Sequence, residues 1–101
     1  MRLSQTQART IREKAREAFG PGTRVLLFGS RADDSARGGD IDLLVDTNLS
    51  DADAAIRAEV AFLADLKQRI GERKIDLLVD FPSRSIRPSV YHAAREQGVR
   101  L

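Results

Sequence analysis

One hexapeptide, Ile-Asp-Leu-Leu-Val-Asp, occurs twice and unchanged, at Ile41 to Asp46 and at Ile75 to Asp80. Each copy is short, apolar and rich in branched residues, which suits a strand buried in a sheet. Side chains alternate along a strand, so Ile, Leu and Val of each copy face one way while Asp, Leu and Asp face the other. A long helical pattern separates the two copies. The succession strand, helix, strand favours a crossover connection and parallel pairing, which sets equivalent residues of the copies near each other. Asp42 and Asp76 then become neighbours. The unit is too short for a repeat architecture, so its consequence is geometric.

The remaining segments fit around this pair. From Ser4 to Phe19 the apolar residues Ala8, Ile11, Ala15, Ala18 and Phe19 follow helical spacing, Ser4 and Gln7 form a capping-box pattern, and Gly20 supplies a stop. Thr23 to Phe28 reads as a buried strand bounded by Pro21-Gly22 and Gly29, and a second strand is expected over Asp40 to Asp46. Ser50 is the expected cap of a helix running to Ile70, with Ile56, Val60, Leu63, Leu66 and Ile70 as the stripe that covers a sheet face. Lys74 to Phe81 reads as a third strand, Pro82 to Ser85 as a turn, and Pro88 as the start of a last helix that stops at Gly98. The expected fold is α/β (α+β), a small mixed β-sheet of three to four strands flanked by helices, with residues 1–101 forming one domain.

Composition narrows the chemistry. With 101 residues, 42% of them apolar and 32% charged, the chain suits one compact core and not a disordered segment. It has no Cys, which excludes disulfides, thiolate nucleophiles and Cys-based zinc sites, so any metal is held by oxygen. No apolar run is long enough to span a membrane, and Met1 to Arg16 lacks the apolar centre of a signal peptide. The expectation is a cytoplasmic protein. The net charge of +2 leaves a weak preference for polyanions; Arg2, Arg9, Arg12, Lys14 and Arg16 read as a solvated helix face. Few aromatics are present to stack bases, so nucleic acid finds little further support as a partner.

Asp40 and Asp42 stand two apart on a strand, so their carboxylates emerge on one face about 6.5–7 Å apart along the backbone. Side by side they repel, and a shared cation removes that conflict. Mg²⁺ prefers hard oxygen ligands and keeps positions open for phosphates, which suits a few carboxylates better than zinc would. The same pattern also fits a sheet face whose outward residues are merely acidic, and Asp46 and Asp80 are read in that way. Upstream, Gly29-Ser30-Arg31 directly follows a buried strand. Gly29 allows close backbone approach, turn N–H groups and the Ser30 hydroxyl can bind phosphate oxygens, and Arg31 adds charge to that grip. A plain strand-to-loop turn uses the same residues. No GxxxxGK with a following Ser or Thr, and no GxGxxG after a strand, occurs. His92, the one histidine, and Tyr91 are read as packing or surface residues of the last helix; Arg84 and Arg87 are read as solvated loop charges.

Taken together, Gly29-Ser30-Arg31-Ala32, Asp40-Ile41-Asp42-Leu43 and Lys74-Ile75-Asp76-Leu77 resemble the motifs of the minimal nucleotidyltransferases of the DNA polymerase beta superfamily. The likeness runs from Val25 to Asp80, and the closing Ala93 to Leu101 looks like the end of such small domains. The resemblance implies transfer of a nucleoside monophosphate, AMP from ATP, to a hydroxyl acceptor with loss of pyrophosphate. It gives Gly29 and Ser30 the β- and γ-phosphates, Asp40 and Asp42 metal ligation, and Asp76 the second of two Mg²⁺ ions and help in deprotonating the acceptor. Stand-alone domains of this kind resemble antitoxins that add AMP to a tyrosine of a helical HEPN-type toxin partner, forming a toxin-antitoxin pair. The alternative is a catalytically idle module of the same fold that neutralises a partner protein or binds nucleic acid; the presence of all three Asp speaks against it. The chain departs from the common form at Asp34, where glycine is usual, and at Gly39, where serine is usual. Asp33 and Asp34 place negative charge beside the phosphate side of the site.

Overall fold

In the computed structural model, which describes residues 3–29, 41–71 and 74–101, both copies of the hexapeptide are strands: β2 is Ile41–Asp46 and β3 is Ile75–Asp80. They pair in parallel, residue against identical residue, from Ile41 with Ile75 to Asp46 with Asp80. The crossover is α2 (Ala52–Ile70), preceded in the chain by α1 (Gln5–Phe19) and β1 (Arg24–Phe28). β1 runs antiparallel to β2, with Phe28 opposite Asp42. After α3 (Ser89–Gln97) the chain adds a two-residue strand, β4 (Val99–Arg100), antiparallel to β1. The sheet order is β3-β2-β1-β4, a mixed sheet of four strands. With three helices it is an α+β arrangement, the small mixed sheet flanked by helices that the sequence predicts. β4 has no counterpart in the sequence reading, because two residues are too few to carry a periodic signal.

The alternation predicted for the hexapeptide divides the molecule into two layers. Ile41, Leu43 and Val45 of β2 join Val25 and Leu27 of β1 and Val79 of β3 in the main core, under Ile11, Ala15 and Phe19 of α1 and Ala55, Ala58, Phe62 and Leu66 of α2. Leu44 lies on the other face, where Tyr91 and Ala94 of α3 cover it together with Leu26, Phe28 and Leu78. Asp42 and Asp76 therefore belong to the α3 side, away from α1 and α2.

α1 forms as its sequence predicts: Ser4 accepts from the Gln7 N–H at 3.1 Å, Gln7 accepts from the Ser4 N–H at 3.2 Å, and Gly20 closes the helix. α2 departs from expectation in two ways. Its cap is Asp51, whose carboxylate accepts from the Ala54 N–H at 2.7 Å, and not Ser50; Ser50 instead accepts through its carbonyl from Ser83. Its buried face is Ala55, Ala58, Phe62 and Leu66, whereas Ile56 and Val60 are 58% and 63% exposed. The cause is the α1–α2 contact. Small Ala55 and Ala58 let the helices approach closely, and Phe62 meets Phe19 edge to face at 5.6 Å between ring centroids. Counting the largest aliphatic residues as the core stripe placed it on the neighbouring face of the helix.

Candidate active site

The two halves of each hexapeptide meet different surroundings on the α3 side of the sheet. At the start of β2 and β3, Asp42 and Asp76 are register partners, one strand spacing of about 4.8 Å apart in backbone. Asp42 is half-buried, and the Asp76 side chain is 52% exposed, with Lys74 Nζ at 4.0 Å. Gly29 follows β1 at the same end. Its φ of +71° lies in the left-handed region, and a Cβ there would collide with the Asp42 carboxylate and come within 3.0 Å of Asp42 Cγ. Glycine is thus required twice over at position 29, once for backbone conformation and once for the space that Asp42 occupies. Sequence reasoning assigned Gly29 a close approach to a ligand; the structure adds that the Asp42 side chain already lies against it. Ser30, Arg31 and Asp40, the other residues singled out for the site, lie outside the described residues, as do Asp33, Asp34 and Gly39.

Gly29→Ala should accordingly cost about 1–2 kcal/mol for the left-handed backbone alone and push the Asp42 carboxylate from its place. Urea unfolding checks the first effect, and Mg²⁺-dependent nucleotide binding the second. An alanine variant as stable as the native chain would contradict the first, and one that binds nucleotide as well as the native chain would contradict the second.

At the far end of the same strands, the reading of Asp46 and Asp80 as outward acidic residues needs correction. Asp80 is buried, with 2% exposure. Arg87 Nε donates to both of its oxygens at 2.9 and 3.0 Å, and Arg95 Nη2 donates to Oδ2 at 2.7 Å. Burial by itself raises the Asp80 pKa, but the hydrogen bonds from Arg95 and Arg87, reinforced by their charges, hold it below the usual carboxylate range. The same hydrogen bond to Asp80 raises Arg95 above its ordinary value. Asp46 accepts from Arg24 and from Arg95, each at 3.4 Å. Arg84 and Arg87 are not free loop charges either: the Arg84 guanidinium lies 4.9 Å from the ring centres of Phe81 and Tyr91, and its Nη2 donates to the Val79 carbonyl. The network fastens α3 and the loop after β3 onto the sheet. His92 is exposed on α3, as expected.

Asp46 and Asp80 are neutralised by arginines within the fold, whereas Asp76 faces solvent beside Asp42 with one lysine nearby. Among the described residues no three His, Cys, Asp or Glu side chains form a metal-binding group, and Asp40, expected to ligate metal together with Asp42, is not among those residues. Asp42 and Asp76 are the right chemistry for a hard cation: two oxygen donors on adjacent strands, on an open face.

The family model for the nucleotidyltransferase domain matches residues 8–101. The chain belongs to that family. The match runs from within α1 to the last residue, so it includes β4, which the sequence reading had not separated from the closing segment. No curated protein matches the chain. The general chemistry of nucleotidyltransferase domains is nucleotidyl transfer from a nucleoside triphosphate with Mg²⁺. No described helix is long and apolar enough to cross a membrane.

Proposed function

We propose that this nucleotidyltransferase domain transfers AMP from ATP to a hydroxyl of a partner protein, in the cytoplasm, as the antitoxin of a toxin-antitoxin pair whose other member is a helical HEPN-type protein. The observation that carries the catalytic part is the parallel register that sets Asp42 against Asp76, with Gly29 packed beneath the Asp42 carboxylate. The partner and acceptor rest on the sequence resemblance to stand-alone minimal domains.

Asp40, Asp42 and Asp76 would hold two Mg²⁺ ions, which supply charge neutralisation for a triphosphate and its departing pyrophosphate. Gly29 and Ser30 would bind the β- and γ-phosphates through backbone N–H groups and the Ser30 hydroxyl, with Arg31 adding positive charge. The acceptor oxygen attacks the α-phosphorus as the bond from that phosphorus to the β-bridging oxygen breaks. Pyrophosphate leaves with the electron pair, and the acceptor proton passes to the Asp76 carboxylate. The half-exposed position of Asp76 supports this role, since an acceptor carried on another protein can reach it.

Incubation of the purified protein and candidate partner with labelled ATP and Mg²⁺ tests the proposal. The native protein should label the partner, and the Asp40→Ala plus Asp42→Ala variant should not. Absence of both transfer and Mg²⁺-dependent nucleotide binding in the native protein would sink the enzyme reading. Nucleotide binding without transfer to that partner would sink only the assignment of the acceptor.

A further inference from the structure

The exposed stripe of α2 has a symmetry that selects its occupant. Asp53, Ile56, Val60, Leu63 and Lys67 recur at the alternating three- and four-residue spacing of a coiled-coil seam. Ile56 and Val60 are 58% and 63% exposed; Asp53, Ala64 and Lys67 are exposed as well, and Leu63 is half-buried. Ile56 and Val60 are β-branched residues of the kind that pack such seams. The charges are placed about Val60 as a centre: Asp53 lies seven residues before it and Lys67 seven after, while Ile56 and Ala64 lie four before and four after.

We infer that this face of α2 binds the same face of a second copy of the chain, antiparallel, with Val60 on a two-fold axis. In that arrangement Val60 meets Val60, Ile56 meets Ala64, and Asp53 meets Lys67 of the second copy, once at each end. A self-complementary patch of this kind is what an isologous dimer requires, since every contact is made twice. Arg57 falls opposite Leu63 and Ala64, so no arginine meets an arginine. Neither Asp53 nor Lys67 is engaged in an ion pair within the described residues, which leaves both for the partner copy. The seam from Asp53 to Lys67 is about 21 Å long at 1.5 Å per residue. That is short for a permanent interface, so the dimer is reversible and concentration-dependent. α2 lies on the face of the sheet opposite Asp42 and Asp76, and pairing there leaves both active-site faces outward.

The absence of cysteine makes the test clean. Val60→Cys should form a disulfide-linked dimer on mild oxidation, because the axis brings the two thiols together, whereas Gln97→Cys, on exposed α3, should not. Sedimentation equilibrium from about 10 µM to 1 mM, a range that brackets weak association, should show the native chain passing from monomer to dimer. Asp53→Lys should shift it toward monomer, and Asp53→Lys with Lys67→Asp should restore the dimer. Both reversals oppose the α2 dipole, so far-UV circular dichroism is recorded to verify that the helix is intact. A native chain that stays monomeric throughout, or a Val60→Cys variant that cross-links no better than Gln97→Cys, would overturn the inference. A dimer that ignores Asp53→Lys would do the same, as would a lack of recovery in the double variant.

Discussion

Asp76→Ala is expected to lower nucleotidyl transfer by at least about 10²–10³-fold, the scale on which one preorganised electrostatic group acts in a transition state, while leaving the fold nearly as stable as before. The second half follows from surroundings. The Asp76 side chain is 52% exposed and its ion partner, Lys74, stands 4.0 Å away, an exposed pair worth no more than about 1 kcal/mol. Its register neighbour Asp42 carries the same charge, so its removal relieves repulsion on the sheet face. In Mg²⁺-free buffer the urea midpoint should therefore stay put or rise slightly. With Mg²⁺ and nucleotide present, the native protein should gain stability by ligand linkage, and Asp76→Ala should gain less of it. Single-turnover labelling alongside urea unfolding, each with and without Mg²⁺, measures both halves. Unchanged transfer would show that the third carboxylate has been misassigned.

How far the fold can be read from sequence depends on which property carried the signal. Strand pairing was legible because identical residues in β2 and β3 alternate identically, and a helix between them leaves parallel pairing as the favoured solution; the register Asp42 with Asp76 followed from that alone. Helix ends were legible at Ser4 and Gly20, where one side chain or one missing side chain decides the backbone, and at Gly98, where a side chain would meet the Ala94 carbonyl and Leu26. The buried face of α2 was legible at Leu66 and Ile70 and missed at Ala55, Ala58 and Phe62, because it is set by how closely α1 can approach, and alanines at 55 and 58 decide that without looking hydrophobic. Asp80 was missed for a related reason. Its sequence setting is the same as that of Asp46, and nothing local distinguishes them; what buries Asp80 is α3, which delivers Arg95 from fifteen residues away. A helix carrying arginine after a strand ending in aspartate is the signal that could have raised the pairing. Within the candidate site, the Asp42 to Asp76 proximity was legible, and the contact between Gly29 and Asp42 was not, since it depends on the antiparallel register of β1 with β2.

Asp80→Ala should destabilise the chain by about 3–5 kcal/mol, the usual consequence of removing one partner from a buried ion pair. The loss comes mainly from what is stranded. Arg87 gives Asp80 two hydrogen bonds and Arg95 gives it the shortest in the network, at 2.7 Å, and without the carboxylate both guanidinium groups face one another with a cavity between them. Arg95 keeps only its 3.4 Å contact to Asp46, so α3 loosens from the sheet and uncovers Leu44 and Tyr91. Since the whole network could be replaced by apolar residues at little net cost, the figure describes the broken pair and not a contribution of the network to the fold. The native protein should show the same linkage through pH. Asp80 has a folded pKa below its unfolded one, so the unfolded state takes up the proton first; its stabilisation is complete above the ordinary carboxylate range and is lost as pH falls through that range toward the lowered folded value. Urea unfolding of the native chain from about pH 6 down to pH 2 should therefore show a steep acid loss that is shallower in Asp80→Asn, the window being that of a depressed carboxylate. Equal acid slopes in the two proteins would mean that Asp80 is not the group whose protonation releases α3.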